Sequence, residues 1–155
     1  MSDCIFCKIS NNELPSYKVY DKEGYLGFLD INPNTKGTAI IIPKKHVSSS
    51  LIDIDYDTFN QTMVIAKKVS EHLCEKLEVE KVGLAIEGTG VNHFHVKLYP
   101  FYYDKNLTKK ELKEQFENQD RVFNKYYQGY LTTQLGPAAK TDELKKLAQE
   151  LFLYC

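Results

Sequence analysis

No apolar run in this sequence approaches the roughly 20 residues that a membrane-spanning helix needs. Nor is charge of one sign in excess, since twenty Lys and Arg stand against twenty-one Asp and Glu. The first absence argues against a helical membrane anchor. The second leaves no global field to attract long nucleic acid or an anionic bilayer, although a local basic site remains compatible with it. A basic segment followed by a signal-type apolar core is also missing from the N-terminal stretch, so the expected compartment is the cytoplasm. Internal repeats and low-complexity linkers are absent as well. What remains is the composition of one globular domain: 155 residues, 43% of them hydrophobic, suffice for a real core.

Histidine is scarce, with four in the chain, and two of these stand together in Val91-Asn92-His93-Phe94-His95-Val96-Lys97-Leu98-Tyr99-Pro100. This stretch alternates polar and apolar residues, the period of a strand. His93, His95 and Lys97 then share one face, successive members roughly 6.6 Å apart, while Phe94, Val96 and Leu98 share the other. Cysteine is equally sparse, yet two of the four form Cys4-Ile5-Phe6-Cys7. In a reducing compartment such a pair reads as a metal or redox motif before it reads as a disulfide. A redox motif of the thioredoxin type sits between a strand and a helix inside a βαβ unit, a context this N-terminal pair lacks.

Between these landmarks the sequence predicts a turn-rich segment over 8–15, a strand over 16–20, a hairpin turn over 21–24 and a second strand over 25–31 that ends at Asn32-Pro33. A β-branched run predicts a buried central strand over 37–43. Phe59, Met63, Ala66, Val69, Leu73 and Leu77 recur at helical spacing and predict a long amphipathic helix over 57–77. His72 falls on its outer side and has no assigned role, and Cys74 reads as a small hydrophobe. Another strand is expected over 82–86, followed by the glycine-bearing turn Glu87-Gly88-Thr89-Gly90. A capping-box pattern at Thr108 starts a helix expected to run to about 127, 129–139 reads as a loop, and a last helix begins with Thr141 as N-cap and Leu144, Leu147, Ala148 and Leu151 as its buried stripe. Five strands, one long helix and a helical tail favour an α+β domain built on an antiparallel sheet. Its division is expected to be a domain over 1–105 and a C-terminal helical extension over 106–155 packed on the same domain.

Cys4, Cys7, His46 and one histidine of the His93/His95 pair would complete a Cys₂His₂ set, the ligand type of a closed structural zinc site. His93 is the better fourth ligand if His95 has other work. Both strand histidines on one metal with an open position would instead make a catalytic zinc site. The other work for His95 is nucleophilic: a neutral imidazole can attack phosphorus and form a phosphoramidate intermediate. Lys97, one step along the same face, would offset charge on phosphate oxygens. Asp30 either caps the turn after its strand or accepts hydrogen bonds from a ribose diol. Ile5, Phe6, Ile9, Phe28 and Ile31 are candidates for an apolar base pocket, although such residues also serve as core. Gly88 and Gly90 either serve the turn geometry or let backbone N–H groups approach a phosphate.

With those residues in view, the chain resembles the histidine triad family of nucleotide hydrolases and transferases. The resemblance runs from residue 4 to about residue 100, through Cys4-Ile5-Phe6-Cys7-Lys8-Ile9, Phe28-Leu29-Asp30-Ile31-Asn32-Pro33, Ile42-Pro43-Lys44-Lys45-His46 and His93-Phe94-His95-Val96. It implies a homodimer with a continuous antiparallel sheet, purine nucleotide ligands of the AMP type, and His95 as the nucleotidyl acceptor. It also implies a zinc-containing branch, with structural zinc on Cys4, Cys7, His46 and His93. The implied reaction is hydrolysis or nucleotidyl transfer at the α-phosphorus of a phosphoramidate or a dinucleoside polyphosphate. The alternative is a zinc-stabilised nucleotide-binding module with little turnover. Two departures stand out. Lys97 occupies the place of the third histidine, and lysine as a residue type donates and carries charge but titrates far higher than imidazole. The turn before the motif is short, leaving Thr89 or Asn92 to substitute for the usual phosphate-contacting residues.

Overall fold

A computed structural model describes residues 3–104, 106, 108, 123–127, 129 and 131–154. Five strands form one antiparallel sheet in the order β1-β2-β3-β5-β4: β1 Lys18–Lys22, β2 Tyr25–Leu29, β3 Ala39–Pro43, β4 Lys81–Ala85 and β5 Val96–Phe101. β1 and β2 join through Glu23 and Gly24, both at positive φ (57° and 80°), the backbone of a type I′ hairpin turn. β3 is central and buried along its whole length, as its Ala39-Ile40-Ile41-Ile42 run predicts.

The long helix α2, Tyr56–Leu77, crosses from β3 to β4. Asp55 caps it by accepting the Thr58 N–H at 2.8 Å, and it ends where Glu78 turns left-handed. Its Ile65, Ala66, Val69 and Leu73 pack on Ile41, Phe94, Val96 and Leu98 of the sheet. A C-terminal helix, α3 (Thr141–Glu150), adds Leu144, Ala148 and, just past its end, Leu151 to the same core. The opposite face of the sheet carries Leu26, Phe28, Ile40 and Ile42, covered by Phe6 and Ile9 of the six-residue helix α1, Ile5–Ser10. The architecture is α+β, as expected. No helix among the described residues is long and apolar enough to cross a membrane.

Four expectations need correction. The strand expected over 91–100 begins only at Val96: His93 bonds its amide to Val91 O and Phe94 bonds its amide to Val47 O, so the ladder has no partners there. The segment expected as turn over 8–15 begins inside α1, because burial of Phe6 and Ile9 stabilises one and a half helical turns. The helix expected over 108–127 falls mainly on 109–122, outside the described residues. Its last part, 123–127, is irregular, with the Asn124 amide donated to Asn34 O rather than to a helical partner. Finally, Lys140 and not Thr141 occupies the N-cap of α3, with no side-chain cap, and Thr141 is the first helical residue.

At the mouth of the β1–β2 hairpin, Asp21 pairs with Lys18 at 2.8 Å and with Lys44. Burial pushes the Asp21 carboxyl up, but the two ammoniums outweigh it and hold the group below the usual carboxylate range. A depressed folded pKa contributes stability above the unfolded pKa, and that contribution is lost as pH falls through the folded value. Asp21→Asn is expected to cost about 0.5–1 kcal/mol at pH 7 in urea unfolding, with the gap to the parent protein closing as the pH is lowered below about 4.

Candidate functional site

α1 is the hinge between two parts of the site. Its N-cap Cys4 and its third residue Cys7 present sulfurs on one side, while Phe6 and Ile9 point onto the sheet. Cys4 Sγ lies 3.4 Å from His93 Nδ1, Cys7 Sγ lies 3.5 Å from the same nitrogen, and Cys7 Sγ lies 3.4 Å from His46 Nδ1. All four ligand atoms fall within 4.8 Å of one another. A tetrahedral zinc with Zn–S near 2.3 Å and Zn–N near 2.0–2.1 Å requires S···N edges of roughly 3.5 Å. The donor set and its spacing fit the ion. His93 is fully buried, and its Nε2 lies 2.8 Å from Pro43 O. A carbonyl only accepts, so Nε2 carries the proton and Nδ1 turns a lone pair toward the sulfurs. Burial and the neighbouring His46 and His95 lower the His93 pKa against the opposing pull of that hydrogen bond, which keeps the ring neutral as a ligand must be.

His95 repeats the device with the other nitrogen. Its Nδ1–H donates to His93 O at 2.7 Å, leaving Nε2 unprotonated. His95 is 4% exposed, and Phe6 meets its ring edge to face at 5.3 Å between centroids. Burial is the main influence lowering its pKa. The carbonyl bond opposes that, Lys97 adds to it, and Glu87 and Asp30 pull the other way, with a net downward shift. Burial and the fixed tautomer thus favour a neutral ring whose Nε2 carries a free lone pair.

His95 and Lys97 open into a cleft of ≈ 460 Å³. Of the residues anticipated for nucleotide binding, Ile5, Phe6, Ile9, Phe28, Asp30, Ile31 and Thr89 all line it. Asn92 does not: its carboxamide oxygen accepts from the Ser49 amide at 3.1 Å, tying the glycine turn to the loop after β3. Asp30 does two things. Its Oδ1 takes the Asn32 N–H at 2.8 Å, the turn-capping role open to it from sequence, while the residue still borders the cleft. Cys74 and His72 lie on α2 away from this site.

Three contributors carry no sequence signal that marks them. Glu87 places Oε2 3.0 Å from Lys97 Nζ, across the β4–β5 junction. Ser49 donates its hydroxyl to Gly88 O at 3.0 Å, and it is one of three consecutive serines with nothing to single it out. Leu135 lines the cleft from the C-terminal tail, far from the motifs in sequence.

A family model described as the HIT domain matches residues 11–102. An uncharacterized HIT-like protein of Borreliella burgdorferi is 55% identical over 74 residues, covering 47% of this chain and 52% of that protein. The chain thus spans about half of that relative's length. An adenosine 5'-monophosphoramidase of Saccharomyces cerevisiae is 37% identical over 103 residues, covering 63% of this chain and 61% of that protein. The crystal structure of a zinc-bound histidine triad family protein from Mycobacterium smegmatis superposes with a TM-score of 0.66 at 21% identity, over 96% of this chain and 93% of that one, a likeness of fold. With more than half of its length matched by the family model, the chain belongs to the HIT domain family, the histidine triad family.

Proposed function

We propose that the protein is a nucleotide hydrolase or nucleotidyl transferase that cleaves at the α-phosphorus of a purine nucleotide derivative, either a phosphoramidate or a dinucleoside polyphosphate. The observation that carries this reading is the unprotonated Nε2 of His95, turned away from the His93 carbonyl in a residue that lines the cleft. The resemblance to an adenosine 5'-monophosphoramidase supports it. In the proposed reaction Nε2 attacks the α-phosphorus, the bond to the leaving group breaks, and the nucleotidyl group rests on His95 until water or another acceptor removes it. Lys97 supplies positive charge to the phosphoryl oxygens. Ile5, Phe6, Ile9, Phe28 and Ile31 enclose the base, Asp30 accepts from the ribose hydroxyls, and Thr89 contacts phosphate. Asn92 is left for the Ser49 contact rather than for phosphate.

Zinc on Cys4, Cys7, His46 and His93 would supply structural rigidity at the base of this site, fixing α1 to the segment that holds His95. A four-ligand closed set leaves His95 free, which favours this assignment over a catalytic metal. The reduced thiols it requires suit a cytoplasmic location. Among the described residues β4 ends the sheet with one edge unpaired, and Leu84 on it is exposed, which supports a homodimer formed by continuing the sheet across a two-fold axis. One observation favours the second reading, a zinc-stabilised binding module with little turnover: Lys97, in the place of the third histidine, is already paired with Glu87.

Incubation with an AMP phosphoramidate or a dinucleoside polyphosphate is expected to yield an acid-labile adenylyl adduct and release AMP. His95→Asn is expected to abolish the adduct and to slow AMP release by about 10³-fold or more. Tight AMP binding with neither adduct nor AMP release by the parent protein would select the binding module instead. The purified protein is expected to hold one zinc per chain by elemental analysis, and Cys7→Ser to lose it. Chelation is expected to lower Tm by about 5–10 °C, corresponding to about 2–3 kcal/mol for a chain of this size, while the fraction that stays folded still forms the adduct. Loss of adduct chemistry in folded, zinc-free protein would point to the catalytic-metal assignment.

A further inference from the structure

Residues 11–102, which match the HIT domain, do not close the cleft by themselves. Part of its wall is Leu135, from the segment 131–139. That segment is stitched to the loop after β2. Gly136 donates its amide to Asn32 O at 3.0 Å, Ala139 donates to Ile31 O at 2.9 Å, and the Asn34 carboxamide donates to Thr132 O at 2.7 Å. Gly136 is buried flat against the loop: a Cβ built there would lie 1.9 Å from Pro33 O, so no side chain fits without displacing the segment. The fit is tight, and it holds Thr133 and Leu135 in place on either side of Gln134.

The two residues do different things. Leu135 is 47% exposed although it is apolar and sits at a packed crossing. Ile31 and Ile5 are also exposed large aliphatics, at 58% and 46%, and line the same cleft. A segment that served only to cover the core would bury its leucine; this one contributes it to an open apolar rim that a ligand would cover. Thr133 lies beside the Glu87 carboxylate and favours its charged form. Glu87 in turn grips Lys97 Nζ at 3.0 Å, and the Lys97 side chain is only 14% exposed. A lysine ammonium on four rotatable bonds loses its aim unless something holds it. Here the holder is a carboxylate that the tail itself engages.

We propose that the segment 131–139 is a positioning strap for the nucleotide site: Leu135 completes the apolar wall, and Thr133 acts through Glu87 to hold the Lys97 ammonium beside His95. This rests on the nucleotide reading given above. Thr133 and Glu87 are positioning residues, and the tail beyond the HIT domain becomes a determinant of which nucleotide derivatives are held and how fast they react.

The test compares kcat and KM for an AMP phosphoramidate, and Kd for AMP, in the zinc-loaded 155-residue chain and in T133A, T133S, E87Q, G136A, K97M and the double variant K97M/T133A. T133A and E87Q are expected to lower kcat roughly 10-fold with little change in Tm, T133S to restore it, and G136A to raise KM and AMP Kd together. In the K97M background T133A is expected to have no further effect, because Thr133 acts through Lys97. An equal loss from T133A in both backgrounds, or a loss that follows Tm, overturns the positioning role. If the parent protein binds AMP without turnover, the same comparison is read in Kd. Parent-like constants for both T133A and G136A overturn the strap while the nucleotide reading stands. If the parent neither binds AMP nor turns over the phosphoramidate, the nucleotide reading falls and the strap with it.

Discussion

Two hydrogen bonds from imidazole to backbone carbonyl organise the centre of this protein. His93 donates Nε2–H to Pro43 O, and His95 donates Nδ1–H to His93 O, at 2.8 and 2.7 Å. Each bond selects a tautomer, and the two selections are opposite. His93 is left with a free Nδ1 facing two sulfurs, His95 with a free Nε2. Two histidines two residues apart thereby acquire different chemistry without any difference in residue type. The proximity of Pro43 is itself a product of the sheet: β3 is the central strand, and its end is brought beside the segment that leads into β5.

Everything nearby supports or exploits that arrangement. Phe94, between the two histidines, is fully buried with Val96 and Leu98 against α2, and it pins the backbone from behind. From the front Phe6 packs edge to face on both imidazoles, with ring centroids 5.9 Å from His93 and 5.3 Å from His95. Because Phe6 lies between Cys4 and Cys7 on α1, the same short helix delivers the sulfurs, shields the histidines and walls the cleft. A helix of six residues has little intrinsic stability. Its order here depends on these tertiary contacts and, in the proposed reading, on the metal.

Much of this was legible in the chain because alternation and spacing are local. Phe94, Val96 and Leu98 had to face a core, so His93, His95 and Lys97 had to face away from it, and the structure keeps that division even where 91–95 departs from the ladder. The buried run of β3 and the apolar stripe of α2 were readable for the same reason. What escaped depended on partners distant in sequence. The extent of the strand was set by Val47, which takes the Phe94 amide, and the fate of Asn92 was set by Ser49. Glu87 read as a turn residue until the β4–β5 register brought it to Lys97. Leu135 and Gly136, in a stretch that read as plain loop, gained their positions only through Asn32, Pro33 and Asn34.

The tautomers can be observed directly. In ¹⁵N-labelled zinc-loaded protein at neutral pH, long-range imidazole ¹H–¹⁵N correlations should show His93 protonated at Nε2 with Nδ1 bare, and His95 protonated at Nδ1 with Nε2 bare. The same protonated nitrogen on both rings, or a doubly protonated His95, would contradict the account, because the proposed nucleophile and the proposed metal ligand would no longer be distinguished by the carbonyls that hold them.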